Sequence, residues 1–197
     1  MSDGQHEMAV RERAERTRDP MAESVEVALA EALRALEESR ASMATARVAL
    51  STALWRLRQD GETAARILPA VLRLGSHLSD GQGYEIAWAI ARSTRQHGLR
   101  PELVAALISV ESGYRPGVIS PTNDHGLMQI HGEPVYDIER NIALGCEELA
   151  TWRATYDCGE REMLAHYNGG CNPPGVSWSY ADRVLGLAEE VAPEEGA

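Results

Sequence analysis

From Met21 to Gln59 the chain carries no glycine or proline, and ten of its residues there are alanine. Leu29, Leu36, Met43, Leu50 and Leu57 recur every seven positions, and Ala32, Ser39, Ala46 and Ala53 follow three places behind. A seven-residue period in a helix-favouring background predicts a heptad helix over 20–59, with one large and one small apolar row. Its length would be about 60 Å at ~1.5 Å per residue. Asp19-Pro20 supplies the start, a capping acid before a residue that already holds helical φ. Asp60-Gly61 predicts the stop, and a second helix is expected from Glu62 to about Leu74 with Pro69 inside it. The small row would let a partner approach closely. That partner is either the second helix folding back or another subunit.

Residues 1–18 alternate arginine and glutamate without an apolar stripe and read as a mobile charged tail. Ser79-Asp80-Gly81-Gln82-Gly83 reads as a linker, after which turns become frequent. Helices are expected from Tyr84 to His97, before Gly98, and over Pro101–Ser112, before Gly113. Residues 114–137 are rich in Gly, Pro, Asn and Asp and should form loop with at most short strands. Ile138, Ile142, Cys146, Leu149, Trp152 and Tyr156 keep helical spacing, as do Tyr180, Val184, Leu187 and Val191. The organisation expected is a tail at 1–18, a helical segment at 19–78 and a mainly helical domain at 79–192.

Charge narrows the function. The 197 residues carry a formal net charge of −11, and every one of the 19 basic residues is arginine. Residues 1–75 hold 11 Arg against 12 acids, whereas residues 76–197 hold 8 against 18. A nucleic-acid binder is excluded, because no positive excess exists to neutralise phosphates. No run approaches 18 apolar residues, so no membrane span is expected. The first twenty positions lack the apolar core of a secretory signal, which implies synthesis in the cytoplasm without a leader. Cys146, Cys158 and Cys171 cannot all pair within one chain. Free thiols are the first expectation, with a Cys158–Cys171 bridge as the alternative.

One carboxylate is out of place. On Pro101–Ser112, Val104, Leu107 and Ile108 make the apolar face, and Glu111 falls three residues after Ile108 and four after Leu107. An acid on such a face costs free energy to ionise and holds its proton toward neutral pH, as a general acid must. The competing reading has Glu111 escaping to solvent or bonding Arg115.

Glu111-Ser112 is followed by an aromatic residue, a proline and Ser120. Next come Gly126-Leu127-Met128-Gln129-Ile130, then Asp137-Ile138-Glu139-Arg140-Asn141-Ile142 with Gly145. Ala165-His166-Tyr167-Asn168-Gly169-Gly170 and Tyr180 with Arg183-Val184 complete the series. In this order and spacing the chain resembles the soluble lytic transglycosylase domain, related to goose-type lysozyme, over about residues 84–191. His125 and His166 depart from the family pattern. His131 follows the GLMQ element, and the histidines beside that element are expected to face solvent.

The resemblance implies a lysozyme-like α+β fold, mainly helices around a cleft with little or no β, here preceded by the long helical segment of coiled-coil character. It implies cleavage of the MurNAc-β-1,4-GlcNAc bond of peptidoglycan with formation of 1,6-anhydro-MurNAc, with Glu111 as general acid and base. It places Ser112, Met128, Gln129, Tyr167, Asn168 and Tyr180 on the substrate, and it calls for no metal and no cofactor. Asp124 and Asp137 are the residues that could make it a hydrolase of lysozyme type, by positioning water. A glycan-binding assembly protein is the alternative from a different class. Peptidoglycan strands are the expected partner, with self-association or contact to a virion protein through the 20–59 helix. A leaderless member suggests a phage endolysin released by a holin, or an enzyme carried on the virion.

Overall fold

In the computed structural model, which describes residue 8 and residues 20–132 and 134–192, the first element is one helix, α1 (Pro20–Leu74). The charged tail, Met8 apart, and the Asp19 cap lie outside the described residues. The stop expected at Asp60-Gly61 does not occur, and residues 62–74 continue α1 instead of folding back on it. The reason is tertiary. Asp60 is buried and takes a bidentate pair from Arg95 at 2.5 and 3.0 Å. A Cβ on Gly61 would already stand 3.4 Å from the Trp88 ring, so packing there offsets the roughly 1 kcal/mol that glycine costs a helix. Pro69 and Ala65 are exposed, so water can satisfy the carbonyl that proline leaves without a donor.

The chain divides into two compact units, one reaching Trp55 and one starting at Arg56. In the first, the heptad row lies open: Leu29, Leu36, Met43 and Leu50 are each about half exposed or more. In the second, Ala64, Ile67, Ala70 and Val71 from the end of α1 are buried in the main core. The compact unit therefore begins well before residue 79, because this apolar face of α1 is needed to close the core.

Residues 79–83 begin a helix rather than a linker. α2 (Asp80–His97) has Ser79 as its cap: the Ser79 hydroxyl accepts from the Gln82 N–H, and the Gln82 side chain accepts from the Ser79 N–H. Gly83 belongs inside it for contact, since a Cβ there would come within 2.4 Å of Leu72 on α1. α3 (Pro101–Ser112) ends where expected, at Gly113 with φ 55°. Two antiparallel two-residue strands follow, β1 (Asp124–His125) and β2 (Ile130–His131), paired Asp124 to His131 and His125 to Ile130. α4 (Ile138–Tyr156) starts at Asp137, whose carboxylate accepts the Arg140 N–H at 2.8 Å. α5 (Glu160–Gly169), which the sequence pattern did not define, and α6 (Gly175–Val191) complete the unit.

α6 packs on α3 and α5, α4 on α2 and α5, and β2 touches α4. Leu103, Val104, Leu107 and Ile108 of α3 are fully buried at the centre. Truncating any of these to alanine should cost about 2–5 kcal/mol. The expected mainly helical architecture with little β is what the chain adopts. Cys146, Cys158 and Cys171 are all free thiols, so the alternative Cys158–Cys171 bridge is not formed.

Candidate functional site

Glu111 occupies the last turn of α3, where the open carbonyls of the helix end already disfavour negative charge. Its partner is Tyr180 on α6, whose hydroxyl donates to Glu111 Oε1. Arg115 is not its partner. Burial raises the Glu111 pKa above the ordinary carboxyl value. The Tyr180 hydrogen bond pulls it down, Asp124 raises it, Arg183 lowers it and Glu148 raises it. Tyr180 itself is driven strongly upward by burial and by Glu111, so its hydroxyl keeps its proton and remains a donor.

The hairpin is fastened from two sides. Asn141, buried in the first turn of α4, accepts the Met128 N–H at 2.8 Å and donates to the His125 and Val135 carbonyls at 2.9 Å each. Tyr167 on α5 donates to the Met128 carbonyl at 2.7 Å. Between these anchors Gln129 is held at φ 53°, a left-handed conformation that costs a non-glycine residue about 1–3 kcal/mol. Its side chain donates back to the Gly126 carbonyl at 2.8 Å. Gly126 is required here: φ is 78°, and a Cβ would stand 2.4 Å from Asn141 Nδ2.

The residues expected on the substrate divide. Glu111, Tyr180 and Tyr167 come together: Tyr167 is raised by its burial and then by the charges of Glu111, Glu148 and Tyr180. Gln129 is half-buried at the hairpin tip, and exposed Asn168 accepts from Ser177 at 2.9 Å across the α5–α6 turn. Ser112 and Met128 turn inward instead. The buried Ser112 hydroxyl is spent on the Ile108 carbonyl of its own helix, at 3.1 Å. Met128 is fully buried against Gly145, and its backbone N–H and carbonyl take the hairpin's two anchors.

Asp124 is pushed up by burial, but hydrogen bonds from Thr122, His131 and Ser120 outweigh that and hold it below the ordinary value. Asp137 is committed to capping α4. His131 is exposed and pairs with Asp124 at 2.8 Å, whereas His125 does not face solvent as expected. It is buried between Asn123 and Tyr136, at 3.2 and 3.3 Å. His166 is likewise buried, stacked on Tyr156 at 3.9 Å and on Trp152 at 5.5 Å. Among the described residues no group of three or more His, Cys, Asp or Glu side chains could hold a metal.

Residues 89–177 match the model of the transglycosylase SLT domain family. That stretch is under half of the chain and lies within the second unit, so the similarity to the SLT domain belongs to this unit alone. A curated relative, the membrane-bound lytic murein transglycosylase C of Pectobacterium atrosepticum, is 23% identical, with 60% of this chain and 40% of the relative covered. The chain thus spans well under half the length of that relative. An inactive mutant of the lytic transglycosylase Slt from Pseudomonas aeruginosa, solved by X-ray, is 18% identical at a TM-score of 0.46, over 52% of this chain and 23% of that one.

Sequence reasoning missed one carboxylate of the second unit. Glu148 on α4 is half-buried and accepts from the Trp152 indole N–H at 3.3 Å. Burial raises its pKa; the Trp152 bond lowers it, Asp124 raises it and His131 lowers it. The test that selects Glu111 also selects Glu148, an acid four residues before an apolar-face tryptophan on one helix. Asn141 falls within one of the motifs, but its fastening role depends on His125, Met128 and Val135, which sequence spacing does not bring together.

Proposed function

We propose that the chain is a peptidoglycan lytic transglycosylase that cleaves the MurNAc-β-1,4-GlcNAc bond with Glu111 as general acid and then base. The observation that carries this is a desolvated Glu111 carboxyl, inclined to keep its proton, held by a tyrosine that remains a donor. Glu111 gives its proton to the glycosidic oxygen as the C1–O bond breaks, with the substrate's N-acetyl group assisting departure. The resulting carboxylate takes the proton of the C6 hydroxyl, and O6 closes onto C1 as a 1,6-anhydro sugar. No water is consumed, and Glu111 returns to its starting form. Tyr180 steadies the carboxylate between the two transfers, while Gln129, Tyr167 and Asn168 contact the strand.

Hydrolysis of lysozyme type would need a second carboxylate to activate water. Asp124 is occupied by three side-chain hydrogen bonds and Asp137 by its cap, which supports the internal C6 hydroxyl as nucleophile. A purely glycan-binding assembly protein has no use for a carboxylate so costly to ionise. Digestion of purified sacculi with mass spectrometry of the products tests the reading: anhydro-muropeptides support it and new reducing ends indicate a muramidase. No release by wild type, or equal release by Glu111→Gln, defeats it.

The open heptad row supports a second element of the proposal, self-association through the 20–59 part of α1. Among the described residues the next longest helix has 19 residues, too short to cover a seam running from 29 to 57. Another copy of the chain supplies the matching length and period. Such an assembly favours attachment to a phage particle over a freely diffusing phage endolysin, and mass spectrometry of purified virions tests it. Among the described residues no helix is long and apolar enough to cross a membrane.

A further inference from the structure

Acids and bases are segregated along the exposed part of α1. Residues 20–38 hold five glutamates against one arginine, Arg34, a net of −4. Residues 39–58 hold Arg40, Arg47, Arg56 and Arg58 and no acid, a net of +4. The apolar face is just as regular, because its two heptad rows differ in size. Leu29, Leu36, Met43 and Leu50 form the large row and Ala32, Ser39, Ala46 and Ala53 the small one, all of them exposed.

We infer that α1 pairs with α1 of a second copy in antiparallel orientation, in the register that sets each large residue on a small one of the partner. Leu29 then lies on the partner's Ala53, Leu36 on the partner's Ala46, Met43 on the partner's Ser39 and Leu50 on the partner's Ala32. The inference rests on the self-association proposed above and adds its orientation. Two independent features select it. Reversing one helix brings the large row of each copy onto the small row of the other, so every layer has the same thickness and the helices keep one separation. A parallel pair in register stacks leucine on leucine and alanine on alanine by turns, and the wide layers would hold the narrow ones open as voids. The charges select the same arrangement. These layers join positions equidistant from Ala41, so the acidic half of each helix lies on the basic half of the other. A parallel pair sets like charge on like at an interaxial distance of about 8–10 Å, where salt screens the repulsion only in part. Opposed helix dipoles favour the antiparallel pair as well. A partner of uniform charge would suit one half of this face and be repelled by the other, whereas a reversed copy suits both.

The test mixes full chains carrying Leu29→Cys with full chains carrying Ala53→Cys in equal amounts. The mixture is oxidised with diamide and digested, and mass spectrometry of the linked peptides separates these links from any through Cys146, Cys158 or Cys171. Antiparallel pairing brings position 29 of one copy to position 53 of the other, while the two copies of position 29 stand about 36 Å apart along the axis at ~1.5 Å per residue. The 29–53 link should exceed the 29–29 and 53–53 links about tenfold or more. Sedimentation of wild type is the second measurement: its dissociation constant should rise severalfold between about 0.05 and 0.5 M sodium chloride, as the attraction is screened. Dominant 29–29 and 53–53 links, or association that tightens with salt, overturn the antiparallel pair and leave self-association standing. Variants that sediment as wild-type oligomers yet give none of the three links overturn the register. Wild type at the chain mass overturns both this inference and the self-association beneath it.

Discussion

The Tyr180 hydroxyl reaches from α6 to the Glu111 carboxyl at the end of α3, joining residues 69 positions apart. This bond and the burial around it act in opposite directions on the same proton. Burial favours the neutral acid, and the tyrosine favours the carboxylate. A group that must give a proton and then take one back is served by that opposition.

Replacing Glu111 by glutamine should lower kcat by about 10²-fold or more, the contribution expected of a positioned general acid. It should also change stability in a pH-dependent way. Below the ordinary carboxyl value of 4.5 both folded and unfolded chains are protonated, and the stability linked to this group is fully present. As pH rises, the unfolded chain ionises first, so that stability is lost as pH passes through the raised folded value. Glu111→Gln cannot ionise. Urea midpoints should show it more stable than wild type at pH 7, with the difference gone at pH 4.

Tyr180→Phe removes a donor that stabilises the ionised carboxyl, so the Glu111 pKa should rise further. The alkaline limb of the kcat/KM profile, set by loss of the protonated acid, is expected to move to higher pH. A fall in kcat of about tenfold should accompany it, from loss of one hydrogen bond to a charged group. A limb that stays in place or moves down would contradict the assigned bond.

Asn141→Ala leaves the Met128 N–H and the His125 and Val135 carbonyls without their partner in a buried position. The cost should be about 2–4 kcal/mol in urea unfolding. Activity should fall as well, since the hairpin carrying Gln129 loses one of its two anchors. Asn141→Asp keeps the acceptor but not the donors, so it should rescue only part of the loss.

Leu36→Arg places a charge in the middle of the open heptad row. Wild type should sediment at twice the chain mass or more at micromolar concentration, and this variant at the chain mass. Far-ultraviolet circular dichroism should lose helix signal on dilution in wild type, because an isolated helix of this kind is marginal without a partner. A monomeric wild type would remove the self-association proposal.

Two arginine pairs that differ in burial should differ in what their loss costs. Asp60→Ala strips the bidentate partner from Arg95 beside the buried end of α1 and should cost about 1–3 kcal/mol. Arg58→Ala, which loses only an exposed pair with Glu62, should leave stability unchanged within error. Thermal melts of the two variants side by side check the ordering.

By itself the sequence determined the elements whose signals are local. The heptad row and the proline start and glycine stop of α3 are written in neighbouring residues, and each appears in the fold. So was the misplaced acid at 111, because helical spacing alone puts it on an apolar face. Local signals failed where distant packing outweighed them. Asp60-Gly61 reads as a stop only until Arg95 and Trp88 are set against it, and Ser79–Gly83 reads as a linker only until Leu72 receives Gly83. The tertiary structure alone decided which motif residues face the site. It turned Met128 and Ser112 inward and brought Tyr180 to Glu111. The physical reason is that burial and hydrogen-bond partnership belong to pairs of residues far apart in the chain, and no periodicity along one segment encodes the other member of the pair.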